Sequence, residues 1–97
     1  MRIIARSTLR LFWKKYPDSE QPLKAWYEIV KMAFWDKPND VKEIFRSADI
    51  IPGDRVIFNI KGNKYRLIVK IKYKSQIIYI RFIGKHSEYD KIDVTNI

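Results

Sequence analysis

From Arg55 onward the apolar residues of this chain stop recurring at every third or fourth position and begin to alternate. Val56, Phe58 and Ile60 interleave with Arg55, Ile57, Asn59 and Lys61, the period of a strand with one face in a core. Gly62-Asn63 follows, a dipeptide that tolerates positive φ and marks a two-residue hairpin turn. Folding the chain at that turn sets Phe58 against Leu67, Val56 against Val69 and Asn59 against Arg66, so the apolar positions of both strands share a side. A slip of one residue would turn each apolar side chain to the wrong face, so this pattern specifies its own register. A weaker turn signal at Lys74-Ser75 sets Leu67 against Phe82, Val69 against Ile80 and Ile71 against Ile78. An antiparallel meander is the expected result.

Its other face is expected to stay open and to gather Asn59, Lys61, Lys64, Arg66, Lys70, Lys72, Tyr79 and Arg81, with Ile57, Ile68 and Ile83 between them. In that register Arg66 lies opposite Ile83 and diagonal to Arg81, within reach of one shared ligand.

The preceding half reads as helices. Ser7 or Thr8 is a candidate cap for a helix whose Leu9, Phe12, Trp13 and Tyr16 follow one-face spacing, with Pro17-Asp18-Ser19 as its stop. Pro22 suits the first turn of a second helix, where Leu23, Trp26, Tyr27, Val30 and Phe34 repeat that spacing. Both aromatic stripes read as core. Pro38-Asn39-Asp40 opens a third stretch through Arg46, helical or irregular, and Pro52-Gly53-Asp54 is loop. Arg2-Ile3-Ile4-Ala5 reads as a short strand that joins the sheet. The fold class is α+β, with helices on one face of a small antiparallel sheet and a short helical turn after Gly84. A chain of 97 residues has room for one domain, 1–97.

Charge then narrows the function. The formal net charge is +9, and residues 55–87 carry nine basic side chains and no acid. The first 54 residues contribute +2 and the last ten −2. Such polarisation is an electrostatic footprint for a polyanion, nucleic acid first among them. The chain has no cysteine and a single histidine, which excludes disulfide scaffolds, thiol nucleophiles and multi-histidine metal sites. No apolar run approaches a membrane span and the N-terminal residues have no signal-peptide pattern, so a cytoplasmic protein with no membrane partner is expected.

His86 is the natural proton carrier near neutrality, and in a helical turn Tyr89 and Asp90 fall on its side. A histidine, a tyrosine and a carboxylate beside paired arginines are sufficient for metal-free RNA cleavage, in which the 2′-hydroxyl attacks the adjacent phosphate. Arg66 and Arg81 suit the phosphate, because guanidinium matches its oxygens in bidentate geometry. No P-loop, nucleophile elbow or dinucleotide fingerprint is present, and carboxylates are too few near the basic face for a magnesium nuclease.

Three separated runs occur in order: Phe58-Asn59-Ile60-Lys61-Gly62-Asn63-Lys64-Tyr65-Arg66-Leu67, then Tyr79-Ile80-Arg81-Phe82-Ile83-Gly84, then His86-Ser87-Glu88-Tyr89-Asp90-Lys91-Ile92-Asp93. Together with Lys24-Ala25-Trp26, they resemble the HigB family of toxins within the RelE-like group. The resemblance implies a RelE-like fold and an mRNA interferase that cuts messages, typically on the ribosome, with no cofactor and no metal. It also implies neutralisation by a HigA-type helix-turn-helix antitoxin. Carried onto this sequence, the catalytic set becomes Arg66, Arg81, His86, Tyr89 and Asp90. RNA contacts are expected from Asn59, Lys61, Lys64, Lys70, Lys72, Tyr79 and Lys85. One departure is Lys85, which stands before the histidine where the family tends to have threonine. Two other readings compete: a non-catalytic basic nucleic-acid-binding module, and a gyrase-inhibiting toxin of the ParE branch.

Overall fold

The computed structural model describes residues 1–97. Strand β1 (Arg2–Ile4) leads into helix α1 (Arg6–Lys15), a single 3-10 turn (Pro17–Ser19), helix α2 (Glu20–Met32) and helix α3 (Pro38–Ile44). Strands β2 (Asp49–Ile51), β3 (Arg55–Ile60), β4 (Tyr65–Lys72) and β5 (Ile77–Lys85) follow, then helix α4 (His86–Tyr89) and a last 3-10 turn (Val94–Asn96).

Helix α1 starts earlier than the Ser7/Thr8 reading expected. Ala5 leaves β1 extended, at φ −120°, and serves as the N-cap without any side-chain hydrogen bond. The strand fixes where the helix begins, so neither hydroxyl caps it. Leu9 and Trp13 are buried, with Phe12 and Tyr16 packed partly buried against the core. Pro17 cannot continue the helix, and Ser19, fully buried, donates its Oγ–H to the Tyr16 carbonyl at 2.7 Å. Helix α2 buries Leu23, Trp26 and Val30 but ends at Met32, so Phe34 falls outside it and is 72% exposed. Trp35 takes the core position that the helical spacing assigned to Phe34. Helix α3 stops at Ile44 instead of Arg46, anchored by Val41 and opened by Asp40, whose carboxylate accepts from the Asp36 and Lys37 amides.

The sheet is five-stranded in the order β1-β5-β4-β3-β2, antiparallel throughout except for β1, which runs parallel to β5. It is therefore mixed instead of wholly antiparallel. The edge strand β2 carries no alternation long enough to be read from sequence. The helices cover one face, where Trp26 and Phe45 meet Phe58 edge-on at 5.4 and 5.0 Å.

The first hairpin keeps the expected register, Phe58 against Leu67 and Asn59 against Arg66. Its turn spans four residues, with positive φ at Lys61 and Gly62 and not at Asn63. The second hairpin keeps Val69 against Ile80 and Ile71 against Ile78, then shifts: Ile68 faces Phe82, Leu67 faces Ile83 and Arg66 faces Gly84. Arg81 is the extra, unpaired residue of a β-bulge. Beyond it Ile83 turns to the core and Phe82 to the outer face, the reverse of the unbulged reading.

That outer face is also not open. Ile57 and Ile68 lie on it and are 1% and 0% exposed. The C-terminal segment returns across it: Arg55 Nε donates to the main-chain oxygen of Ile97 at 2.9 Å, and Ile92, Val94 and Ile97 are partly buried.

A polar tie joins the first hairpin to the α1–α2 junction. Asp18 accepts from Lys64 Nζ and, at 2.5 Å, from the Tyr65 hydroxyl, with Lys61 Nζ at 3.7 Å. Hydrogen bonds from Lys64 and Tyr65 hold the Asp18 carboxyl down at about 2, below its ordinary 3.8. Because the folded value is the lower one, this tie contributes fully above pH 4 and is lost as the pH falls through about 2. Asp18→Asn is therefore expected to lower the melting temperature at neutral pH and to flatten its fall between pH 4 and 2. Parallel melting curves for the two proteins across that range would refute the tie.

Candidate active site

The end of β5 delivers the expected cluster. Lys85, the N-cap of α4, donates its backbone N–H to Glu88 Oε1 at 3.0 Å, which starts one helical turn at His86. The turn places Asp90 Oδ2 3.4 Å from His86 Nδ1 and the Tyr89 ring 6.1 Å from the imidazole. Its far side rests on β4, where the Arg66 guanidinium carbon lies 5.5 Å from the centre of the Tyr89 ring. His86 and Asp90 are exposed, and Arg66 and Tyr89 are half-buried. Proton-exchanging groups at the surface thus sit beside a cation held from below.

Arg66 has a further property. Its Nε is buried without a hydrogen-bond partner, and so is Oδ1 of Asn59, the residue directly across the strand pair. Asn59 spends its amide on the Ser47 carbonyl, 3.1 Å away. The half-buried guanidinium is therefore approached by a ring and by no carboxylate, which suits an anionic ligand.

Arg81 does not converge with Arg66 at one point. It is three residues from Gly84, the partner of Arg66, which is about 10 Å along a strand. Its guanidinium lies 5.4 Å from the Tyr79 ring, which Lys72 Nζ also approaches at 5.9 Å. Phe82 stands between the two arginine sites on this face, so the outer face carries two cation–tyrosine stations instead of one clamp. Lys70 lies opposite Tyr79 beside the second station.

Lys61 and Lys64 leave the outer face and turn to Asp18. Lys85 also points toward the helix layer, with its Nζ 4.9 Å from the Tyr16 ring. The cavity in the molecule, about 290 Å³, lies elsewhere, among Pro38, Ile50–Arg55 and Tyr73. There the Tyr73 hydroxyl is buried without a partner, and burial, followed by Asp54 and Asp40, pushes it up to about 12. No three His, Asp or Glu side chains converge anywhere.

A family model for the HigB toxin, described as the RelE-like toxic component of a toxin–antitoxin system, matches residues 19–92. The chain is also 30% identical over 92 residues to the mRNA interferase toxin HigB of Escherichia coli, covering 93% of this chain and 88% of that protein. The mRNA interferase HigB of Shigella flexneri matches equally, and that of a second Escherichia coli strain is 24% identical over 94 residues, covering 95% of this chain and 91% of it. The chain belongs to the HigB toxin family. A HigB toxin is one half of a pair, so its partner is a cognate antitoxin. The matched residues take in every element of the cluster above, from Asp18's neighbour Ser19 to Ile92.

Two residues of this HigB site escaped the sequence reading, Phe82 and Gly84. The bulge puts the Phe82 ring over Gly84, where an added Cβ would meet Phe82 Cζ at 2.4 Å. A bare strand position opposite Arg66 thus seats the ring between the two stations. The available signal was a glycine inside an alternating strand, which often marks a bulge or a close approach. Gly84→Ala is expected to cost about 1–3 kcal/mol by forcing the ring out. Adding Phe82→Leu should recover part of that loss in urea denaturation, and no recovery would place the strain elsewhere.

Proposed function

We propose that this HigB toxin is an endoribonuclease that cleaves messenger RNA in the cytoplasm, acting on ribosome-bound messages, and that a HigA-type helix-turn-helix antitoxin restrains it. The observation that carries the reading is the junction of α4 with β4: an imidazole–carboxylate pair at 3.4 Å beside an arginine stacked on Tyr89. The relatives named mRNA interferases support the substrate class.

The chemistry follows from those groups. The RNA 2′-hydroxyl oxygen attacks the adjacent phosphorus, the bond from phosphorus to the 5′ oxygen breaks, and a 2′,3′-cyclic phosphate remains. The attacking hydroxyl gives up its proton and the leaving oxygen gains one. The His86–Asp90 pair and the Tyr89 hydroxyl are the groups at hand for both transfers. Asp90 lies on the Nδ1 side of the imidazole, so Nε2 is the nitrogen left for substrate. Arg66 and Arg81 neutralise charge on the phosphoryl oxygens and on the neighbouring phosphate, one station each. Lys70, Lys72 and Tyr79 hold the flanking nucleotide, the ring supplying a stacking surface for a splayed base.

Purified protein with programmed ribosomes is expected to release fragments ending in 2′,3′-cyclic or 3′-phosphate. Binding of RNA without such cuts would support the non-catalytic module, and inhibition of gyrase without RNA cleavage the ParE-like toxin. Arg81→Ala should lower cleavage by about 100-fold or more while leaving stability within about 0.5 kcal/mol, because the side chain is exposed. Tyr89→Phe keeps the ring under Arg66 and removes only the hydroxyl. An unchanged single-turnover rate in that variant would assign Tyr89 to holding Arg66 alone.

A further inference from the structure

The first seventeen residues contain five basic side chains and no acid, a local excess hidden when the first 54 residues are taken together. All eight acids of that stretch follow, from Asp18 to Asp54. Helix α1 raises these cations into a ridge. Arg6, Arg10 and Lys14 recur every fourth residue and are all exposed, and Lys15 is exposed beside them. The Arg6 guanidinium lies on the Tyr27 ring at 4.9 Å, while Arg10 and Lys14 have no carboxylate within ion-pair distance.

The ridge is continuous with the site. Tyr16, at the C-terminal end of α1, carries Lys15 Nζ 5.5 Å from its ring centre and Lys85 Nζ at 4.9 Å. Lys85 is the residue before His86, so one tyrosine joins the last turn of the helix to the first residue of the catalytic turn. Two acids stand at this corner, Asp18, already met by Lys61 and Lys64, and Glu88, which accepts from the Lys85 backbone N–H; with Lys15 and Lys85 the four lysines outnumber them and the corner stays cationic.

We propose that α1 is a second RNA-binding element: the strand flanking the cleaved phosphate leaves the site past Lys85 and Tyr16 and runs along Arg10, Lys14 and Lys15. The inference rests on the reading of the chain as an RNA-cleaving enzyme. The ten-residue helix is about 15 Å long, room for two or three successive phosphates of a single strand. Charge selects the occupant, since a row of unpaired cations without an acid fits a phosphate backbone. The function of the ridge is to hold substrate length that the sheet face cannot reach.

The test compares two charge-matched triple variants of the full chain, Arg10→Gln/Lys14→Gln/Lys15→Gln on the ridge and Lys31→Gln/Lys37→Gln/Arg46→Gln away from it. All six residues are exposed, and circular dichroism checks that both variants fold. For an RNA of about 20 nucleotides, the slope of log affinity against log salt should fall by about 2 in the ridge variant, because three phosphates of a single strand are no longer neutralised. The remote variant should keep most of its slope. The ridge variant should also lose at least tenfold more kcat/KM on the long RNA than on one of about five nucleotides. Equal slopes in the two variants, or equal losses on long and short RNA, would overturn the proposal. So would a ridge variant that binds long RNA normally and loses only its antitoxin, since the ridge would then be a protein-docking surface. Failure of the unaltered chain to cut these RNAs and also messages on programmed ribosomes, with the slopes still different, would leave the ridge standing and sink the enzymatic reading instead.

Discussion

Leu67, Ile68 and Val69, consecutive in the central strand, are all fully buried. A strand turns successive side chains to opposite faces, so three buried neighbours require cover on both sides of the sheet. The helices supply one cover. The other comes from the C-terminal segment, which must fold back across Ile57 and Ile68 and is pinned at its far end by Arg55. That return path brings α4 down beside Arg66. The position of α4 is therefore a consequence of hiding the apolar middle of β4, and the half-buried state of Arg66 and Tyr89 follows from the same cover.

The bulge does the complementary work. One unpaired residue at Arg81 reverses the faces of everything after it, sending Ile83 to the core and Phe82 outward. Without it Arg66 would lie opposite a bulky isoleucine, as the unbulged alternation implies. With it Arg66 lies opposite Gly84, and the freed space is filled by an aromatic ring. Bulges re-aim side chains at the cost of one pairing, and here the residue left unpaired is itself one of the two arginines on the outer face.

What could be read from the sequence, and what could not, divides along physical lines. The first hairpin register was legible because six alternating residues admit one solution that buries Val56, Phe58 and Ile60 together. Pro17 and Pro22 gave the helix break because proline chemistry is local. The bulge was not legible, since Phe82 and Ile83 are both apolar and either can serve as the inward residue; only the fit of the ring over Gly84 decides. Phe34 misled because helical spacing continued for one position after the helix had ended. The cluster at His86, Tyr89 and Asp90 was visible because it lies within five consecutive residues. The separation of Arg66 from Arg81 was not, because it depends on the bulge. Parity places Lys61 and Lys64 on the basic face, but turn residues do not obey strand parity, and Asp18 lies near enough to claim both.

The fate of those lysines exposes a difference in how this molecule holds its cations. Where stability is needed, at the α1–hairpin corner, a carboxylate holds them and cancels charge. Around the site the holders are rings: Tyr89 under Arg66, Tyr79 under Arg81 and Lys72, Tyr16 under Lys85. A ring quadrupole attracts a cation by about 0.5–1 kcal/mol at an exposed position, enough to restrict it. Unlike a carboxylate it carries no net charge, so the cation's full charge remains available to a phosphate. An acid in the same place would fix the geometry better and would compete with the substrate. The acid-free run from Arg55 to Ser87 is thus more than a footprint for polyanions: beyond the two lysines that Asp18 claims, its cations meet rings, Tyr79 within the run and Tyr16 and Tyr89 from outside it, and are oriented without being neutralised.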